Sequence, residues 1–179
     1  MLEITIPAYE LFNDVTQEFI SEDARTIQLE HSLISISKWE SRWNKPFLSN
    51  SEKSNEEIRD YIRCMTINRG VPETAYLYIT NDQLRKINEY ISAPMTATTI
   101  TETKGPVSRE ILTSEVIYYH MITANIPFEC EKWHLNRLLM LIRVCGAKNA
   151  KPEKKSPAEI MRQNAAINAA RKKQYNTKG

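Results

Sequence analysis

The sequence contains little glycine. Only four of its 179 residues are glycine, and no two of the four lie close together. The glycine-rich loops that bind phosphate groups in P-loop and dinucleotide-binding proteins therefore have no counterpart in this chain. Chemistry driven by a bound nucleotide is accordingly disfavoured.

Cysteine and long apolar runs are also scarce. Cys64, Cys130 and Cys145 are odd in number and lie in apolar helical patterns, which is typical of small buried side chains rather than of a disulfide framework. No run approaches the ~20 apolar residues that span a bilayer, and residues 1–5 lack the features of a signal peptide. We therefore expect a protein of a reducing compartment that is neither secreted nor inserted into a membrane.

Charge is distributed unevenly along the chain. Residues 147–179 contain nine basic and two acidic residues, whereas residues 1–146 contain fifteen basic and twenty acidic ones. An acidic body that carries a basic tail favours a protein that docks on a partner over one that transforms a small molecule.

Periodicity predicts a mainly α-helical fold with a small β-hairpin at the N-terminus and a projecting C-terminal helix. Alternating apolar residues over 2–6 and 26–30 indicate two short strands that pair with each other. Helical spacing and capping residues predict helices at 32–43, from 54 to about 68–70, from 80 to just before 94, from 113 or 114 to 127, at 130–145, and from 156 onwards. Residues 92–106, rich in threonine, are expected to form an extended connector.

The chain is expected to divide into a helical globular domain (1–147), a linker (148–155) and a basic C-terminal helix and tail (156–179). A capping box at residues 156–159 places Pro157 at the first helical position, where proline removes no hydrogen bond. The few large apolar residues of this helix offer little burial to hold it on the body. We expect it to project or to dock on another molecule.

Candidate catalytic and metal-binding groups are weak. Cys130 and His134 are one helical turn apart and could share a metal, but a stable zinc site needs further ligands at fixed distances. Glu56, Glu57 and Asp60 fall in the first turns of a predicted helix, where acids favour the helix dipole. We therefore expect no metal, no cofactor and no catalytic residue.

Two sets of residues have alternative interpretations. Trp39 and Trp43, with Arg42 and Lys45, could stack on nucleic-acid bases, although indoles at helical spacing are more often core anchors. The cations of the C-terminal segment could bind phosphate groups, bind an acidic helix, or be solvated. These alternatives stay open at the level of sequence.

Several segments resemble one known family. They are HSLISISKWES at 31–41, PFL at 46–48, MTATT at 95–99, the stretch from Trp133-His134 to Cys145, and the closing segment around NAAR at 168–171. These segments are spread over most of the chain, from residue 31 to the closing segment, and they are similar to tail assembly chaperones of long-tailed bacteriophages.

The resemblance implies a small, mainly helical protein that binds the hydrophobic, helix-rich tape-measure protein. In that family, binding keeps the tape-measure protein soluble until the tail-tube subunits polymerise around it. The activity is stoichiometric binding in the host bacterial cytoplasm, without a cofactor and without enzymatic turnover. The sequence leaves a homo-oligomer open.

Seven residues are predicted to contact the partner. Arg162, Arg171, Lys172 and Lys173 would supply electrostatic attraction, and Trp133, Leu138 and Leu141 would be apolar anchors unless they belong to the core. The alternative function is a nucleic-acid-binding phage packaging or regulatory protein that uses the basic C-terminal helix. A second alternative, a hydrolase hidden by divergence, requires a cleft with converging polar groups.

Overall fold

The computed structural model describes residues 1–13, 17–100, 111–149 and 157–175. The chain separates into two compact units, Met1–Lys148 and Asn149–Gly179. Residues 150–155 of the predicted linker and residues 101–106 of the predicted connector lie outside the described residues. Residues 93–100 have no regular secondary structure.

Four short strands occupy the N-terminal region. They are β1 (Leu2–Ile6), β2 (Tyr9–Asn13), β3 (Glu18–Glu22) and β4 (Arg25–Leu29). β1 pairs with β4 in antiparallel register from Leu2↔Leu29 to Ile6↔Arg25, which confirms the predicted strand pair. β2 pairs with β3 in a second antiparallel ladder that the sequence did not predict. The side chains of β3 are mostly exposed. This strand has no buried face, so its sequence lacks the alternation of apolar and polar residues that marks β1 and β4.

The rest of the structure is helical, as predicted. The helices are α1 (Leu33–Trp43), α2 (Asn55–Met65), α3 (Asn81–Ser92), α4 (Ser114–Thr123), α5 (Leu135–Asn149) and α6 (Pro157–Tyr175). Two 3₁₀ helices lie between them, the first at Glu73–Tyr78 and the second at Phe128–Lys132. No helix among the described residues is long and apolar enough to cross a membrane.

Local capping determines where the first three helices begin. The side chains of Ser32, Ser54 and Thr80 each accept a hydrogen bond from the backbone of the residue three positions later, whose own side chain accepts from the cap. These reciprocal bonds satisfy two backbone donors that a helix start leaves unpaired. The predicted starts of the second and third helices are thereby confirmed, and α1 begins within one residue of its predicted start.

Two predicted helix ends are wrong, because pairing with a strand residue ends α2 and a left-handed turn follows α4. α2 stops at Met65 because Thr66 bridges to Leu29 and the N–H of Ile67 donates to the carbonyl of Gln28 at 2.9 Å. α4 stops at Thr123, well before Pro127, and Asn125 adopts a left-handed conformation with φ of 53°.

The single helix predicted over 130–145 is also wrong. The second 3₁₀ helix ends at Lys132, Trp133 is extended, and α5 begins only at Leu135. His134 forms a β-bridge with Ser32, and the N–H of Leu135 donates to the carbonyl of His31 at 2.7 Å. Tertiary pairing with the start of α1 therefore replaces helical hydrogen bonds at this point. At its other end, α5 runs through Lys148 and Asn149, which were expected to begin the linker.

The core of the first unit lies between the β1–β4 ladder and helices α1, α2, α4 and α5. The largest side chains that are almost completely buried are Trp39, Ile6, Ile27, Leu29, Leu33, Ile36, Ile62, Met65, Ile87, Ile117, Met121 and Leu135. Only the first turns of α5 are buried, at Leu135 and Leu138, and the remainder is half-buried or exposed. The core therefore receives α5 only through its first turns.

Candidate functional site

The predicted cationic contact residues lie on α6. Arg162, Arg171, Lys172 and Lys173 are all exposed, and so is every other side chain of this helix that the structure describes. The side chain of Glu159 and the whole of Ser156, on which the predicted capping box depends, lie outside the described part. The role of these cations in partner contact stays a prediction.

The three predicted apolar anchors have different environments. Leu138 is 0% exposed and belongs to the core, so the folded chain does not present it to a partner. Trp133 and Leu141 are half-buried and pack against that core. The guanidinium of Arg137 lies 4.1 Å from the centre of the Trp133 ring, which leaves this indole partly covered by a cation.

A larger apolar surface, which the sequence analysis missed, lies on the outer side of α4. We call it the α4 face, and it consists of Tyr118, Tyr119, Ile122 and Phe128. Tyr119, Ile122 and Phe128 are 62%, 58% and 55% exposed. Half-buried Tyr118 connects the set, because its ring centroid lies 6.3 Å from that of Phe128 and it is one helical turn from Ile122.

The opposite side of α4 is packed into the core and holds the helix in place. Ile117 and Met121 are 0% exposed, and the amide of Ser114 at the helix start donates to the buried Glu40 carboxylate at 2.8 Å. Apolar residues on two sides of a helix indicate either deep burial or a surface that another molecule covers. The sequence analysis did not use this signal for α4.

A groove with basic walls lies beside α1 and α2. This cationic groove has a volume of about 540 Å³, and Lys38, Arg69 and Lys132 line it. Among the described residues, none of these three cations forms an ion pair. The carboxylate of Glu30, which also lines the groove, accepts from the Tyr90 hydroxyl at 2.6 Å and pairs with the α-amino group of Met1 at 3.1 Å.

A smaller depression of about 360 Å³ lies along α2, and three arginines and three acids line it, so its charges balance. The carboxylate of Asp60 contacts the guanidinium groups of Arg42 and Arg63 and accepts from the indole N–H of Trp43 at 2.9 Å. Arg63 also pairs with Glu73. These ion pairs cancel most of the local charge.

The remaining acids and tryptophans of this region have structural roles. Trp39 is almost fully buried, and its indole N–H donates to the carbonyl of Glu57 at 2.9 Å, which confirms its interpretation as a core anchor. The Glu57 carboxylate accepts from Lys45 at 2.5 Å and from the amide of Ser54 at 2.7 Å. The hydrogen bond from Lys45 and that from Ser54 hold the pKa of Glu57 below its usual value.

His134 is bonded to backbone groups through both of its ring nitrogens. Its Nε2 donates to the carbonyl of Tyr90 at 3.0 Å, and its Nδ1 accepts from the amide of Asn136 at 3.3 Å. Burial lowers the pKa of His134. Within the ranges that the structure describes, no group of three or more His, Cys, Asp or Glu side chains could hold a metal ion.

Comparison with known proteins does not place the chain in a family. No family model, no curated protein and no solved structure matches it. The α4 face, the cationic groove and the exposed cations of α6 are therefore the features on which a functional proposal rests.

Proposed function

We propose that this chain is a chaperone-like binding protein that holds a helix-rich, apolar polypeptide in solution. The α4 face is the observation that carries the proposal. Tyr119 and Ile122 are more than half exposed on adjacent turns of α4, whose other side is anchored in the core, and the exposed Phe128 lies on the following 3₁₀ helix. Contiguous apolar surface of this kind marks a site where another molecule binds.

The proposed client is the tape-measure protein of a long-tailed bacteriophage, and the proposed location is the host bacterial cytoplasm. The sequence resemblance supports this identity. Such a client presents many apolar helical segments, and each could cover the α4 face. Completing the burial of one side chain such as Ile122 contributes about 1–2 kcal/mol, so several contacts together are needed for stable capture.

The cations of α6 fit the same proposal. Arg162, Arg171, Lys172 and Lys173 are exposed on one helix and available to an acidic client. Charge complementarity mainly speeds the encounter of two molecules, whereas buried apolar contacts set how long they stay together. In the proposed activity the chain binds its client stoichiometrically and transforms nothing.

Co-expression with a bacteriophage tape-measure protein tests the proposal. We expect the client to be soluble and to co-purify with the intact chain, and to become insoluble with Ile122→Lys. Leu77→Lys is the matched control, because Leu77 is also 58% exposed but lies on the first 3₁₀ helix, away from α4. A client that stays equally insoluble with and without the intact chain would contradict the proposal.

One observation favours nucleic-acid binding as a second candidate function. The four α6 cations could contact phosphate groups along a nucleic acid, as packaging and regulatory proteins do. Binding through four phosphate contacts on a single strand would weaken roughly 50-fold between 50 and 200 mM salt, whereas apolar client binding weakens far less. Affinity for a single-stranded oligonucleotide measured across this salt range therefore separates the two functions.

A further inference from the structure

We propose that the cationic groove binds an acidic, amphipathic helical segment of the client. This inference rests on the proposed function for the identity of that client. It adds a second contact surface, separate from the α4 face, and it states the chemistry that the groove recognises.

The first argument is the convergence of uncompensated charge. Lys38 comes from α1, Arg69 from the loop after α2, and Lys132 from the end of the second 3₁₀ helix, so three distant segments place cations around one groove. Of the described residues that line the groove, Glu30 is the one acid, and its carboxylate already has two partners. Cations that repel one another without a counter-charge favour an anionic ligand.

The second argument is the apolar floor. Ile34, Cys64 and Ile67 line the groove between the cations, and Ile67 is 51% exposed. Burial raises the pKa of the Cys64 thiol to about 11, so this side chain is uncharged at neutral pH and adds to the apolar surface. A ligand that complements both the cations and the apolar residues of the groove presents acidic side chains to the cations and an apolar side chain to the floor.

The neighbouring depression disfavours a nucleic acid as the occupant. A phosphodiester chain needs a continuous line of available cations, since each of its residues carries a charge. Next to the groove, however, Arg42 and Arg63 are paired with Asp60 and Glu73, and Glu56 offsets the charge of Arg59, so the lining of this depression carries no net positive charge. A polypeptide helix can place its acids at the groove alone and avoid this region.

The third argument is continuity with the α4 face. Phe128, which belongs to the α4 face, begins the second 3₁₀ helix, and Lys132, which belongs to the cationic groove, ends it. One short element therefore connects the two surfaces. At a rise of about 2 Å per residue, the two positions are about 8 Å apart along that helix. One client helix can therefore reach both surfaces if its acids lie about one to two turns from its large apolar residues.

A labelled peptide tests the proposal directly. The probe is a helical peptide of about 21 residues, made of three repeats of the sequence ELLEALE, which is long enough to form a helix in water. A scrambled peptide of the same composition keeps the charge and removes the amphipathic pattern, and an oligothymidylate of equal net charge represents nucleic acid. Affinities for the full-length chain are measured by fluorescence anisotropy.

The variants are Lys38→Glu, Arg69→Glu and Lys132→Glu, each tested singly. All three residues are exposed, so folding should be preserved, and circular dichroism verifies it. Lys86→Glu is the matched control, because Lys86 is exposed on α3 and does not line the groove. We expect each groove variant to weaken binding of the amphipathic peptide about tenfold or more, and the control to change it less than about twofold.

Three outcomes of the peptide experiment would overturn the proposal. They are unchanged affinity in the groove variants, equally tight binding of the scrambled peptide, and tighter binding of the oligothymidylate that the same variants abolish.

Co-expression with the tape-measure protein keeps this inference distinct from the proposed function. If the groove variants keep the client soluble while Ile122→Lys does not, the groove proposal fails alone. If the intact chain fails to keep the client soluble, the proposed function fails whatever the peptide binds.

Discussion

The imidazole rings of His31 and His134 meet edge to face inside the first unit, with their centroids 5.1 Å apart. Both side chains are buried. Nδ1 of His31 shares a hydrogen bond of 2.5 Å with the Tyr61 hydroxyl, while His134 is bonded to the backbone of Tyr90. Burial, and then the proximity of His134, lower the pKa of His31 to about 3.

This pair makes stability depend on pH. In the unfolded chain a histidine has a pKa near 6.5, so the folded state favours the neutral form of His31, and stability is complete above about pH 6.5. It falls as the pH drops from there toward 3, by up to about 1.4 kcal/mol per pH unit. We expect urea unfolding to show a loss of about 2 kcal/mol between pH 7 and pH 5 from this residue.

His31→Gln provides the comparison, because glutamine can still hydrogen-bond to Tyr61 but does not titrate. The carboxylates of the chain titrate in both proteins, so the difference between the two pH profiles isolates His31. Identical slopes in the wild type and the variant would show that the buried imidazole is not the source of the pH dependence.

Glu40 is expected to stabilise the junction between α1 and α4. Its carboxylate accepts from the amide of Phe47 at 2.7 Å and from that of Ser114 at 2.8 Å, at the positive end of the α4 dipole. Glu40→Gln replaces one acceptor oxygen by a donor and leaves one buried amide unpaired. The free energy of unfolding in urea should fall by about 1–3 kcal/mol.

Glu129→Gln is the control for this prediction, because Glu129 is exposed and its replacement should change stability by less than about 0.5 kcal/mol. Equal stability of the two variants would mean that the contacts of Glu40 add nothing to the fold.

Cys64 is expected to react slowly with alkylating reagents. A thiol with a pKa of about 11 is ionised in about one molecule in a thousand at pH 8. Its alkylation by iodoacetamide, followed by mass spectrometry, should still be rising about tenfold per pH unit between pH 8 and pH 9.5. A small exposed thiol peptide should level off in this range, and a plateau for Cys64 at the same pH would refute the expectation.

The α6 cations are expected to control the rate of client capture. Replacing Arg162, Arg171, Lys172 and Lys173 together by glutamine should slow association about tenfold at low salt and leave dissociation nearly unchanged. Replacing Asn164 and Asn168 by glutamine on the same helix is the uncharged control. Stopped-flow mixing at two salt concentrations measures both rates, and an unaltered association rate would remove α6 from the binding mechanism.

Local sequence signals were sufficient for much of the fold. The capping residues Ser54 and Thr80 act within four residues, so their effect on the helix start does not depend on tertiary structure. The β1–β4 ladder was also predictable, because one side of each strand faces the core and its apolar residues alternate. The interruption of the predicted helix at Trp133 was not predictable, because it depends on the hydrogen bond from Leu135 to His31, which lies more than a hundred residues away along the chain.

The candidate site was predicted less well, for a related reason. Helical spacing identifies apolar stripes, but it does not say which of them the rest of the protein covers. Leu138 and Ile122 are both apolar residues of predicted helices, and only packing leaves the first fully buried and the second mostly exposed. The cationic groove was missed because its cations come from three separate segments, and no local charge cluster announces it.

The bond from the amide of Leu135 to the carbonyl of His31 also bears on synthesis at the ribosome. The strand ladder and α1 precede Leu135 and Leu138 in the chain, so the core side chains that these leucines cover lack that cover until α5 has been made. We expect a chain truncated before Leu135 to leave part of its core uncovered and to be degraded faster than the intact chain.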